Sequence, residues 1–263
     1  MTAIWSIART TLNEAIRRRV LLVILLIGIL FLVIAPGLEA LSPRQEITVL
    51  KSLTLGVIQL TSAVIAIVLT VYLIPNEIER RTIYTILSKP VLRWQFLVGK
   101  YLGAVLALGL MMALMTGALL LVFMIMQDTR DLATLGEMVR VPFMFFVQMS
   151  LLAAVAVFFS TFVSPIVNFF LAGGVYLVGT VFNSLFQVLS ENKDINPLVK
   201  SAAGLVHAVI PNFQYFNVQN TAINPGQGIQ SESLYYLQMT GYALFYIAAL
   251  LAGAILIFDR REV

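Results

Sequence analysis

Six apolar stretches, each longer than twenty residues, dominate this chain, and Glu39 near the end of the first is the only Asp, Glu, Lys, Arg or His in any of them. A run of about twenty apolar residues crosses about 30 Å of hydrocarbon as a helix. A membrane β-barrel would instead need short alternating segments with a polar inner face. The runs here are continuous Leu, Ile, Val, Ala and Met, in a chain that is 60% hydrophobic and 11% charged. Such a composition excludes a soluble globular domain. The sequence therefore predicts a single-domain (1-263), all-α membrane protein of six transmembrane helices, at Val20 to Leu41, Leu53 to Ile74, Tyr101 to Met126, Val141 to Val163, Ile166 to Leu189 and Leu234 to Phe258.

Lys and Arg orient the spans, because basic residues concentrate on the cytoplasmic side. Arg9, Arg17, Arg18 and Arg19 precede the first span, Arg80, Arg81, Lys89, Arg93 and Lys100 separate the second from the third, and Arg260 and Arg261 follow the last. Arg44, Lys51, Arg130, Arg140, Lys193 and Lys200 fall on the other side. Both termini are thus expected inside, and the basic balance reflects topology rather than nucleic-acid binding. Residues 1-19 read as an amphipathic interfacial helix, with Ile4, Trp5, Ala8, Leu12, Ala15 and Ile16 on one side, rather than as a cleaved leader. Ser164 and Pro165 predict a tight cytoplasmic turn. The longest connection, 190-233, is expected to form an external cap containing an amphipathic or re-entrant helix at Leu198 to Ile210, with a mobile stretch near Pro225 and Gly228.

The chemistry is narrowed by what the chain lacks. Ion-coupled carriers and proton pumps place ionisable groups at mid-membrane, and these spans have none there. No cysteine is present, and His207 is the only histidine, read as an interfacial side chain. No HExxH, Gly-x-Ser-x-Gly or Walker A pattern occurs, so neither an enzyme nor a nucleotide site of the chain's own is expected. Buried polarity is neutral: Thr54, Gln59, Thr61, Ser62 and Thr70 in the second span, and Asn168, Thr180, Asn183, Ser184 and Gln187 in the fifth. These side chains fit two readings: hydrogen bonds between helices, or a translocation path lined by Gln59, Ser62, Thr70, Asn168, Asn183 and Gln187. In the third span, Gly99, Gly103 and Ala107, then Gly109, Ala113 and Gly117, permit close helix approach, within the chain or between subunits.

Between the second and third spans, Pro75 to Lys100 (PNEIERRTIYTILSKPVLRWQFLVGK) is strongly charged and amphipathic. Ile78, Thr82, Ile83, Ile86 and Leu87 share one helical side, while Glu77, Glu79, Arg80 and Arg81 occupy the rest, and Pro75 and Pro90 delimit the helix. Trp94 and Tyr101 are expected in the headgroup zone. A basic helix lying on anionic lipid needs only positive charge. The mixture of both signs suits a protein partner.

These residues resemble a known family. Glu77-x-Glu79 with Thr82, then Leu87-Ser88-Lys89-Pro90-Val91, Arg93 and Gly99-Lys100, are similar to the signature after span two in permeases of the type-2 ABC exporter family. Ala8-Arg9 through Glu14 and Arg17 to Arg19 resemble the family's interfacial elbow helix. Arg80 and Arg81 stand where a Gly commonly precedes the Thr, a departure from the pattern. Length and layout resemble the permeases of nitrous-oxide-reductase maturation and the gliding-associated permeases. The resemblance implies a permease dimer in a prokaryotic plasma (inner) membrane, with spans two and five facing the dimer centre. It also implies a separate ABC ATPase subunit that holds ATP and Mg, and a coupling helix at 76-89 that docks into it. Coupling would involve Glu77, Glu79, Arg80, Arg81, Thr82, Ile83, Ile86, Lys89, Pro90 and Arg93. Two alternatives stay open: a mechanotransmission subunit that regulates an extracytoplasmic partner without moving substrate, and a channel or carrier that needs no ATPase.

Overall fold

The computed structural model describes residues 2–39, 46–75, 92–126, 132–182, 196–219 and 232–260, with the isolated positions 185, 188 and 189. Its described residues form eight α-helices and no strand: α1 (Thr2–Arg17), α2 (Arg19–Glu39), α3 (Glu46–Val71), α4 (Arg93–Met126), α5 (Leu132–Ser160), α6 (Pro165–Leu177), α7 (Pro197–Val209) and α8 (Glu232–Arg260). A π-turn, Val178–Phe182, continues α6, and a 3₁₀ turn, Phe213–Phe216, follows α7.

Helices α2, α3, α4, α5 and α8 are long and apolar enough to cross a membrane. Helix α4 has 34 residues, about 50 Å at about 1.5 Å per residue, so it outruns the hydrocarbon thickness. The fifth predicted span is the exception: its described apolar helix stops at Leu177 and passes into the π-turn. At its start, Pro165 sits at the first helical position, where a missing N–H costs nothing, and Asn168 N–H bonds the Ser164 carbonyl at 2.9 Å.

Helix α5 is the most enclosed of the long helices and packs against α3, α4, α6 and α8. Its inward positions alternate small and large residues, with Ala153, Ala154 and Ala156 among Phe145, Met149 and Leu152. In a bilayer, apolar side chains gain little by leaving lipid, so close contact at small residues supplies the association. Helices α2 and α8 keep most of their apolar surface outward, as lipid contact allows.

The N-terminal helix is a separate element, as its amphipathic pattern predicts, and it packs on the start of α4. The face it buries is Ala8, Thr11 and Ala15; Trp5 and Ile16 point away from the bundle. The glycine spacing in α4 finds its partner here. A Cβ at Gly99 would lie 2.9 Å from the Ile7 Cβ, and one at Gly103 would lie 2.6 Å from the Ala8 carbonyl oxygen. Tyr101 is buried between α4 and α5, where its hydroxyl donates to the Ser150 carbonyl at 3.1 Å. A phenol that reaches a carbonyl inside the bundle no longer needs an interface for its polar end. Trp94 remains exposed.

Candidate functional site

Two regions carry the polar chemistry, one at the end of the bundle where α3 stops and α4 begins, the other in its interior. Of the expected coupling residues, Arg93 is described; Glu77, Glu79, Arg80, Arg81, Thr82, Ile83, Ile86, Lys89 and Pro90 lie outside the described residues. Arg93 Nη1 donates to the Phe258 carbonyl at 3.0 Å and to the Asp259 carbonyl at 3.2 Å. Those oxygens belong to the last turn of α8, where carbonyls lack helical partners and the helix dipole is negative. The guanidinium also lies 5.9 Å from the Phe258 ring centroid, and that ring stacks with Phe96 at 6.3 Å. Next to it, Gln95 Oε1 accepts from Leu92 N–H at 3.2 Å, half of a capping box at the start of α4.

Lys100, one turn after Phe96, is buried between α1 and α4, with its Nζ 3.9 Å from Glu14 Oε2. Glu14 also accepts from Arg18 Nη2 at 2.7 Å. Helix α1, the beginning of α4 and the end of α8 are therefore joined at one end of the bundle.

In the interior region, Gln59 alone of the described path candidates joins a side-chain network, while Ser62, Thr70 and Asn168 bond backbone carbonyls. Gln59 of α3 donates through Nε2 to Gln148 Oε1 of α5 at 3.3 Å. Its own Oε1 accepts from Gln219 Nε2 at 3.2 Å. Gln148, fully buried, donates through Nε2 to the Phe213 carbonyl at 3.0 Å. Ser62 bonds the Gln59 carbonyl at 3.0 Å, and Thr70 bonds the Ala66 carbonyl at 2.7 Å, both within α3. Asn168 Nδ2 reaches across from α6 to the Ala156 carbonyl of α5 at 2.9 Å, while its Oδ1 is buried with no hydrogen-bond partner among the described residues. Asn183 and Gln187 lie outside the described residues.

The connection expected as a cap reaches into this network. After α7, Pro211, Asn212, Phe213, Phe216 and Val218 are all buried. Phe213 packs on Tyr176 with ring centroids 5.7 Å apart, and it sits over Gly179 of the π-turn, where a Cβ would be 2.5 Å from its Cδ2. Asn212 N–H donates to the Tyr242 hydroxyl at 3.0 Å, and the Tyr235 hydroxyl donates to the Tyr215 carbonyl at 2.7 Å. Gln148, Gln219 and Phe213 were not among the expected site residues. Gln148 is nevertheless the only carboxamide in the fourth apolar run, a signal in its own right.

An apolar groove of about 440 Å³ lies between α4 and α5, bounded by Gly109, Ala113 and Gly117 on one side and Pro142, Phe143 and Phe146 on the other. Its one hydroxyl, on Thr116, is already bonded to the Met112 carbonyl at 2.8 Å.

The fold defines a multi-pass helical membrane protein with a neutral polar interior. The family described as ABC-2 family transporter protein matches residues 5–263, and the chain belongs to that family. It is thus a membrane permease of the ABC transporter type, a class whose membrane subunit works with an ATPase partner. A comparison with curated proteins finds no match.

Proposed function

We propose that this chain is the permease subunit of an ATP-driven exporter, with six spans and both termini in the cytoplasm of a prokaryotic cell. In this reading α1 is the interfacial elbow, and 76–89 is the coupling helix that docks into a separate ATPase subunit. ATP and Mg are bound by that partner. Two copies of the permease pair, with α3 and α6 facing a shared path lined by Gln59, Ser62, Thr70, Asn168, Asn183 and Gln187.

The observation that carries this reading is the joining of α1 and α8 to the start of α4, which directly follows residues 76–91 in the sequence. Arg93 holds the end of α8, Gly99 and Gly103 hold α1, and Lys100 meets Glu14. A force applied between α3 and α4 would reach α1 and α8 together. A chain with no charge at mid-span lacks the groups that ion-coupled carriers usually place there, which is consistent with energy delivered from outside the membrane.

Copurification tests the docking. An ATPase subunit is expected to accompany the protein from solubilised membranes, and Glu79→Lys combined with Arg80→Glu is expected to release it. Association that survives both charge reversals would sink the coupling assignment. A second reading, a mechanotransmission subunit acting on an extracytoplasmic accessory protein, is favoured by the burial of Pro211, Asn212, Phe213, Phe216 and Val218 and by contacts that tie the outer connection to α3, α5, α8 and the π-turn after α6. Vesicle transport with and without ATP separates the two, because only the exporter moves solute.

A further inference from the structure

We infer that residues 211–219 form a removable plug, latched by Gln148 and seated against α3, α5, the π-turn after α6 and α8. Its place in a transport cycle rests on the permease reading; the latch itself does not.

Irregular backbone is tolerated at membrane depth only where protein satisfies its polar groups. Here that is done from the side chains of the surrounding helices. Gln148 of α5 holds the Phe213 carbonyl, Tyr242 of α8 receives the Asn212 N–H, and Tyr235 of α8 holds the Tyr215 carbonyl. Within the segment, Gln214 N–H bonds Asn212 Oδ1 at 2.9 Å and Asn217 N–H bonds the Gln214 carbonyl at 3.0 Å. These ties are neutral hydrogen bonds, each of modest net strength and each remade by water once the segment leaves.

The glutamines form a directional relay. Gln219 donates to Gln59, Gln59 donates to Gln148, and Gln148 donates to Phe213. The relay starts and ends on the plug, at Gln219 and Phe213, so losing Gln148 unpairs the Phe213 carbonyl and removes one acceptor of the Gln59 amide. The receptacle is also shaped for the plug. A Cβ at position 179 would come within 2.6 Å of the Pro211 carbonyl oxygen as well as striking Phe213, so only glycine admits the segment there. The π-turn places that glycine, and such turns recur at functional sites.

Thiol labelling tests the proposal, since the chain contains no cysteine. Val218→Cys puts a reporter at a buried plug position, and Ala104→Cys, in a second chain, reports on the bundle core. The full-length protein is treated in membrane vesicles with a membrane-impermeant maleimide. Labelling of Val218→Cys is expected to be slow alone and about tenfold faster with Gln148→Leu, the shift in a local opening equilibrium for about one hydrogen bond. Tyr242→Phe, which keeps the ring, is expected to give a smaller acceleration. Ala104→Cys should stay unreactive throughout. Unchanged Val218→Cys labelling in both variants overturns the proposal, and so does equal acceleration at Ala104→Cys, which means unfolding. In vesicles that also contain the ATPase, ATP is expected to speed labelling of the otherwise unaltered reporter chain. If ATP has no effect while Gln148→Leu frees the segment, the latch stands and its place in an ATP-driven transport cycle fails.

Discussion

Gly103 of α4 and Thr11 of α1 approach so closely that a Cβ on the glycine would lie 2.6 Å from the Thr11 Cβ. Fourteen residues further on, Gly117 occupies the same helix with nothing within 4 Å of the equivalent point. The two glycines therefore predict opposite responses to one substitution.

Gly103→Ala is expected to destabilise by about 1–3 kcal/mol, the usual cost of overpacking, because backbone as well as a side chain blocks the new methyl. Gly117→Ala is expected to be neutral or stabilising by up to about 1 kcal/mol, the helix propensity difference. Thermal aggregation in detergent, compared between the two, checks this. A Gly103→Ala protein that withstands heating as well as Gly117→Ala would show that α1 is not held at this contact.

Gly179→Ala is expected to loosen the plug while leaving the helices intact. The added methyl must displace Phe213 or the Pro211 carbonyl, and backbone yields less easily than a flexible side chain. Hydrogen exchange over 211–219 should quicken by at least about tenfold, with α5 unchanged. Protection equal to that of the unaltered protein would contradict the packing described.

Arg93→Lys is expected to fail as a conservative change. One guanidinium nitrogen meets two carbonyls while the group's central carbon lies 5.9 Å from the Phe258 ring centroid, an arrangement that an ammonium point charge does not reproduce. Loss of about 1 kcal/mol and faster exchange at 256–260 are expected. Equal protection in Arg93→Lys and the unaltered chain would remove the capping role.

Arg140 and Glu232 pair at 3.1 Å at the opposite end of α8, yet both side chains are substantially exposed. Such a pair contributes little, about 0–1 kcal/mol before further screening by salt. A double-mutant cycle with Arg140→Gln and Glu232→Gln should give a coupling below about 0.5 kcal/mol in physiological salt. A larger coupling would mean that the pair is shielded from water.

Run length and charge made the long helices legible, since membrane thickness fixes how many apolar residues a span needs. The α4 glycine spacing told of close approach but not of its partner, because period alone does not say which helix arrives. Arg93 read as part of a charged docking stretch, and its contact with α8 joins residues 165 positions apart. The burial of Tyr101 was not legible either, because its partner is a carbonyl on α5. Likewise, nothing local to Val178–Phe182 announces a π-turn. The segment that packs there comes from a later connection, and a tertiary contact decides it.

The neutrality of the 211–219 segment has an electrical meaning. Its sequence, PNFQYFNVQ, contains no Asp, Glu, Lys, Arg or His, and the side chains that hold it are glutamines and tyrosines. Moving a unit charge through the full bilayer field is worth about 2.3 kcal/mol per 100 mV. Displacing this segment carries no such charge, so the movement is electrically silent, and the cell's resting voltage neither favours nor opposes it.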